Sequence, residues 1–139
     1  MKPTRNSILL LTARFETIAL AIGKRIILIN GAFIRLEPLF QYITPMPGYG
    51  RMIKIIATHI EDGSEIGWLL RITADEHQSS AISVGGALVH EPWRRKGVAT
   101  ALYNFAEEIA AKCNATLVPS DLLSDDAKAF WAARISSKI

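Results

Sequence analysis

Cysteine is almost absent from this chain of 139 residues, because Cys113 is the only one. A single thiol excludes a disulfide within the chain and any metal site built from several cysteines. No two of the three histidines have the spacing of a metal-binding motif either. We therefore predict a protein without a metal site, working in a reducing compartment such as the cytoplasm.

The chain also lacks a long hydrophobic run, although half of its residues are hydrophobic. The apolar stretches near the N-terminus are interrupted by Arg14, Glu16, Lys24 and Arg25. None of them approaches the roughly 18 to 20 residues that a membrane span requires. A secretory signal would carry its charges ahead of one apolar stretch instead. We therefore expect no membrane association and a cytoplasmic location.

Neither sign of charge dominates, since 16 Lys and Arg residues stand against 13 Asp and Glu residues, for a net charge of +3. Dedicated nucleic-acid binders carry a larger basic excess, so nucleic acid ranks last among the expected partners. The motifs G-x-x-x-x-G-K-[ST] and G-x-G-x-x-G are absent from the sequence. Their absence disfavours a P-loop hydrolase and a dinucleotide-binding Rossmann fold.

The N-terminal part of the chain contains signals for one helix and one hairpin. Apolar residues recur at helical spacing and predict a helix over about Ser7–Ile22, with a buried strand at Ile8–Leu11 as the alternative. Two β-prone runs flank Asn30 and Gly31, the strongest short signal for a hairpin turn. Three prolines and two glycines predict a loop over Pro38–Gly50.

The residue pattern of the remaining chain predicts strands followed by helices. A second hairpin is expected around Asp62 and Gly63, and a third strand over Ala81–His90. An amphipathic helix follows, then the short strand "ATLVP", then a last helix with Ser124 as its N-cap. The length and the apolar content suit one domain with a packed core.

The segment "HEPWRRKGVATALYNFAEE" places Arg94, Arg95 and Lys96 immediately before Gly97 and an apolar helical stripe. The first N–H groups of a helix lack internal partners and lie at its positive end, where they attract an anion. Gly97 allows an anion to approach the backbone closely. Three cations would repel an empty helix start, so a pyrophosphate with a further phosphate is expected there. A solvated basic turn without a ligand is the alternative.

The stretch "ALVHEPWRRKGVATALYNFAEE" resembles the acetyl-CoA-binding motif of the GNAT superfamily of N-acetyltransferases. In that motif a strand ending in Val leads through Arg/Gln-x-x-Gly-x-Gly/Ala into a long helix. Here Val89 ends the strand, and Arg94, Gly97 and Ala99 take the three motif positions. The resemblance covers roughly Arg51–Arg134, and the end of the chain is similar to short, phage-type members.

The resemblance implies an α+β fold, in which helices flank a central mixed, mostly antiparallel sheet that lacks the usual last two strands. It implies acetyl-CoA as co-substrate, with its pyrophosphate on backbone N–H groups around Arg95–Thr100 and its pantetheine on the strand backbone. A bulge at Gly85 and Gly86 would open that strand. The implied cofactor-binding residues are Leu88, Val89, Arg94, Arg95, Lys96, Gly97, Val98, Ala99 and Thr100.

Three departures from the family pattern leave the catalytic residues unassigned. Trp131 replaces the tyrosine that often protonates the leaving thiolate, and an indole cannot act as an acid. The strand Ala81–His90 contains no Asp or Glu of the kind that often serves as base. The usual two final strands do not follow the last helix before Ile139. His90 is interpreted as a turn residue and Trp131 as a core aromatic, although His90 could be a base.

Residues in the remaining loops are weaker candidates. Ser120 and Asp121 follow the strand that should flank the acetyl group, where they could bind substrate or merely form a turn. His59 and His77 are expected to be solvated. Cys113 is interpreted as a small packed residue, because no cation beyond Lys112 is near enough in sequence to activate it.

The expected function is transfer of acetyl from acetyl-CoA to an unidentified amine of a small molecule or a protein. The alternative is a non-catalytic GNAT-like module that binds a ligand or another protein. The expected domain plan is an N-terminal segment, residues 1–50, which the resemblance does not explain, and an acetyl-CoA-binding domain, residues 51–139. We expect Ser7–Glu37 to supply covering structure, on its own sheet or across the two-fold axis of a homodimer.

Overall fold

The computed structural model describes residues 2–42, 51–120 and 125–136. Three helices lie in these ranges: α1 (Arg5–Ile22), α2 (Val98–Lys112) and α3 (Asp125–Ser136), with a 3₁₀ turn at Glu91–Trp93. The strands are β1 (Arg25–Ile29), β2 (Ala32–Tyr42), β3 (Arg51–His59), β4 (Glu65–Ala74), β5 (Ala81–Val89) and β6 (Thr116–Pro119).

The six strands form one sheet in which the spatial order follows the chain order. Neighbours from β1 to β5 are antiparallel, whereas β5 and β6 are parallel and are joined by the α2 crossover that a parallel pair needs. Helices α1 and α2 contact each other and pack on the same face of the sheet around one core. The predicted α+β fold with a mixed, mostly antiparallel sheet is therefore confirmed.

The first helix and the first hairpin form where the sequence predicts them. Helix α1 begins directly after Thr4, whose hydroxyl oxygen accepts a hydrogen bond of 3.1 Å from the Ser7 N–H. The alternative of a strand at Ile8–Leu11 is therefore wrong. Asn30 (φ 51°) and Gly31 (φ 82°) both lie in the left-handed region, as the predicted two-residue hairpin turn requires.

The predicted loop over Pro38–Gly50 is wrong in its first part, because β2 continues through Pro38 to Tyr42. Proline cannot donate to a sheet ladder and is tolerated where a strand has a partner on one side only. The pairing of β1 with β2 ends at Leu36, so Pro38 pairs only with Ile55 of β3. The rest of the predicted loop, residues 43–50, lies outside the described residues.

The N-terminal elements belong to the same sheet and core as the strands that follow. Phe15 of α1 and Ile34 and Leu36 of β2 are almost fully buried in the cluster that also contains Leu69 of β4. The boundary expected between residues 50 and 51 lies between the adjacent strands β2 and β3. Strands β1 and β2 form the edge of the sheet opposite β6.

The expected bulge at Gly85 and Gly86 is wrong, because the β4–β5 register is the same on both sides of the pair. Gly85 is instead a position where a side chain of the adjacent strand approaches closely. Its strand neighbour Arg71 has a positive φ of 53°, and a Cβ added at Gly85 would lie 2.8 Å from the Arg71 Cβ. Glycine at this position therefore leaves room for the Arg71 side chain of the adjacent strand.

Candidate functional site

The two parallel strands separate in the middle of β5. Residues Ala81–Val84 pair with Thr116–Pro119, and the ladder ends at Pro119, which has no N–H to donate. Strand β5 continues over Gly85–Val89, and no strand in the described part of the chain pairs with this stretch on the β6 side. The separation leaves a free backbone edge with which an extended ligand can pair.

Two adjoining cavities lie beside this free edge, with volumes of about 440 and 370 Å³. Both are lined by Val89, Arg94, Ala99 and Phe130, so they lie between β5 and the two C-terminal helices. The predicted cofactor residues that line one cavity or the other are Leu88, Val89, Arg94, Arg95, Gly97, Val98, Ala99 and Thr100. Lys96 is the one predicted cofactor residue that lines neither.

The start of α2 has the features of an anion site. Gly97 is its N-cap residue with φ 94°, no side chain caps the helix, and its first turn contains no acidic residue. A Cβ added at Gly97 would meet no atom within 4 Å, so the space above the backbone is open. The side chain of Val98 is buried, which leaves its backbone N–H as its contribution to the site. Unpaired helical N–H groups in such a turn attract an anion.

The side chains of Arg94 and Lys96 in the basic turn contact different partners. Arg94 Nε donates a hydrogen bond of 2.9 Å to the Val89 carbonyl oxygen. This hydrogen bond uses one of the two lone pairs of that carbonyl oxygen and ties the basic turn to the end of β5. Lys96 Nζ lies 5.5 Å from the centroid of the Trp93 ring, within the range of a cation–π contact.

Tyr103 of α2 is a site residue that the sequence analysis missed. It lines the smaller cavity and contacts the rings of Phe130 and Trp131, each at 5.1 Å between centroids. Burial raises the pKa of the Tyr103 hydroxyl, against a smaller lowering by its hydrogen bond with Trp131 and by the charge of Arg134. The hydroxyl is therefore protonated at neutral pH. Its position four residues after Ala99, one turn along the same helical face, was the available signal.

Trp131 is 5% exposed and belongs to the core, which confirms its interpretation as a core aromatic. His90 is exposed and makes an edge contact with Trp68, at 5.3 Å between ring centroids. The expectation of a solvated His59 is wrong. Its ring packs 5.1 Å from Trp93, and its Nδ1 lies 3.1 Å from a carboxylate oxygen of Asp62.

The other loop candidates lie away from the basic turn. His77 is exposed, as expected, and Ser120 lines a separate cavity. Cys113 is buried, and burial raises the pKa of its thiol, which makes it less reactive. Asp121 lies outside the described residues, as does the predicted N-cap Ser124.

A larger cavity, of about 630 Å³, lies elsewhere, between the start of α1 and the turn after β4. None of its lining residues belongs to the free edge of β5 or to the start of α2.

No group of three or more His, Cys, Asp or Glu side chains in the described ranges is arranged to hold a metal ion. Within the same ranges, no helix combines the length and hydropathy of a membrane span.

The free edge of β5 thus lies beside the uncapped start of α2 and its basic turn. The sequence profile of the acetyltransferase (GNAT) family matches residues 40–134, which is more than half of the chain. The chain therefore belongs to the acetyltransferase (GNAT) family, and the matched part includes every element around the site. No curated protein and no solved structure matches the chain.

Proposed function

We propose that the protein is an N-acetyltransferase that moves acetyl from acetyl-CoA to an amine. The observation that carries this proposal is the parting of β5 from β6 next to the uncapped start of α2. The free edge at Leu88 and Val89 would pair with the pantetheine amides. The backbone N–H groups around Arg95–Thr100, with the nearby cations, would hold the pyrophosphate.

In this reaction the amine nitrogen attacks the thioester carbonyl carbon, a C–N bond forms, and the C–S bond breaks. The protein orients the two reactants, and water takes the proton from the amine nitrogen. Tyr103 lies beside the cavity with a protonated hydroxyl and replaces the tyrosine missing at Trp131 as the candidate donor to the thiolate. We therefore expect Tyr103→Phe to lower kcat by about a hundredfold with acetyl-CoA affinity retained.

Acetyl-CoA turnover over a panel of amines tests the proposal, with acetyl-CoA binding measured separately by isothermal titration. Neither His90→Ala nor Trp131→Phe should abolish turnover, because neither side chain is assigned proton transfer. A thousandfold loss of kcat in His90→Ala at unchanged acetyl-CoA affinity would instead identify His90 as a base.

The second candidate function is a non-catalytic GNAT-like module that binds a ligand or another protein. The absence of Asp and Glu from β5 and the burial of Trp131 favour it, because neither the usual base nor the usual acid of the family is supplied there. Acetyl-CoA binding without turnover of any amine in the panel would support this module. Titration with duplex DNA tests the nucleic-acid reading, for which we expect no specific binding.

We further propose that residues 1–50 form the covering and dimerising segment of a homodimer, and residues 51–139 its acetyl-CoA-binding domain. Ile26, Leu28 and Phe33 share the outer face of the β1–β2 hairpin and are 61%, 63% and 61% exposed. Such a patch is typical of an interface. Leu28→Lys should halve the particle mass in light scattering, whereas Leu20→Lys on α1 should not. An unchanged mass in Leu28→Lys would contradict the dimer.

A reducing cytoplasm is the compartment that we propose, because Cys113 is a free, buried thiol.

A further inference from the structure

We propose that the cavity of about 630 Å³ beside α1 binds a carboxylate with a hydrocarbon chain, of the chemical class of a medium-chain fatty acid. The first half of α1, the turn after β4 and the residues that end α2 line this cavity. Its volume lies within the range of small-molecule sites, about 300 to 1,000 Å³. The site is separate from the free edge of β5 and does not depend on acetyl transfer.

The first half of α1 packs less closely on the domain than the second half. The buried residues of the helix are Phe15 and Ala19, and no residue of α1 before Phe15 is buried. The Thr12 hydroxyl oxygen accepts a hydrogen bond of 2.9 Å from the Ala74 N–H, which fixes the helix to the end of β4. The cavity lies beside the turns of α1 that precede this attachment, where the helix leaves room for a guest.

The part of the cavity that α1 forms is largely apolar. Ile8, Leu10 and Leu11 line it, and Leu10 is 72% exposed. The buried residues Ala74 and Cys113 add further apolar surface to the lining. Contact with a hydrocarbon chain would remove this surface from water, which is favourable in proportion to the apolar area covered. The lining therefore favours a guest with a hydrocarbon chain.

Arg14 supplies the charge that selects the head group of the guest. It lines the cavity, and within the described residues its guanidinium has neither a hydrogen bond nor an ion pair. Burial raises the pKa of the Cys113 thiol and the charge of Arg14 lowers it, so this cation acts at the cavity. Asp75, an acid in the lining, already accepts the N–H groups of His77 and Gln78 at 3.0 and 2.8 Å. A carboxylate is the head group that pairs with a free guanidinium.

The spacing along α1 sets the length of the guest. Ser7, Leu11 and Arg14 all line the cavity and share one face of the helix. The rise from Ser7 to Arg14 is about 10 Å at 1.5 Å per residue, which suits an extended chain of about eight carbons. The Ser7 hydroxyl already donates a hydrogen bond of 2.8 Å to the Thr4 carbonyl oxygen, so it does not demand a polar partner from the guest. Octanoate fits this length, with its carboxylate at Arg14.

Isothermal titration of the full chain with octanoate, octanol and octylamine tests the site, because these guests share one chain length and differ in head-group charge. Octanoate should bind about tenfold more tightly than octanol, since the alcohol cannot form the charged pair with Arg14. Octylamine should bind most weakly, because its ammonium would lie beside the Arg14 cation. Octanoate should also raise the melting temperature, because it binds the folded state.

Two pairs of matched variants locate the bound octanoate. Arg14→Gln should weaken octanoate binding about tenfold and leave octanol binding unchanged, whereas Arg5→Gln, on the same helix but outside the lining, should change neither. Leu10→Ser should weaken both guests about threefold, because it removes apolar contact. Leu9→Ser is its control, since Leu9 is 59% exposed and does not line the cavity. All four residues are exposed, so the variants should melt within a few degrees of the wild type.

The cofactor cavities also combine apolar surface with cations, so the same titrations are repeated with saturating acetyl-CoA and in Gly97→Asp. Octanoate affinity should stay within twofold in both. Competition with acetyl-CoA would place octanoate in the cofactor cavities and overturn the site beside α1. Absence of octanoate binding, equal affinity for octanoate and octylamine, or equal effects of Arg14→Gln and Arg5→Gln would overturn it as well.

Discussion

Replacement of Gly97 by Asp tests the anion site at the start of α2, because it adds a negative charge where the anion is expected to bind. Gly97 has φ 94°, and an added Cβ would meet no atom within 4 Å, so the fold should lose only about 1 kcal/mol to backbone strain. The new carboxylate would lie next to a bound pyrophosphate. Two like charges about 4 Å apart near a protein surface repel by roughly 4 kcal/mol, so acetyl-CoA affinity should fall by about a thousandfold.

Isothermal titration with acetyl-CoA measures this loss, and Gly63→Asp is its matched control. Gly63 also has a positive φ, 75°, and open space around its Cα, but it lies in the β3–β4 turn. Both variants should melt within a few degrees of each other, and only Gly97→Asp should lose binding. Wild-type affinity should also weaken with added salt, because the cations are exposed. Affinity in Gly97→Asp within threefold of the wild type would refute the pyrophosphate site.

Three further predictions concern stability. Gly85→Ala should destabilise the fold by about 1–3 kcal/mol in denaturant titration, because its Cβ would lie 2.8 Å from a neighbouring Cβ, whereas Gly86→Ala, with 3.9 Å, should not; equal effects would contradict this packing. The hydrogen bonds of 2.5 and 2.6 Å from Arg25 lower the pKa of Glu108, so the pair stabilises the fold above about pH 4. This stabilisation, at most about 1 kcal/mol for an exposed pair, should fade as pH drops further, and Glu108→Gln should remove that part of the pH dependence of the melting temperature. A truncation starting at Met52 removes buried core residues and should unfold; equal solubility and melting temperature would show that the N-terminal segment has no structural role.

The basic turn and the first hairpin could be predicted because their signals are local. Gly97 and the cations before it identify a helix start that attracts anions, whatever packs around it. Asn30 and Gly31 adopt positive φ because those residue types tolerate it. The same local motif led to the family, which the profile match over residues 40–134 shows. These features depend on residue type and on neighbours along the chain.

Only the tertiary structure determines where the free edge of β5 begins and which side chains lie beside it. Strand β5 parts from β6 at Val84 because two segments more than thirty residues apart pair for only four residues. The same long-range pairing brings Ser120 and Ser83 to one cavity, and helix packing places Tyr103 at a cavity beside the free edge of β5. Arg94 reaches the Val89 carbonyl only once the turn is folded. Such contacts depend on the whole sheet and its helices, so no local pattern could predict them.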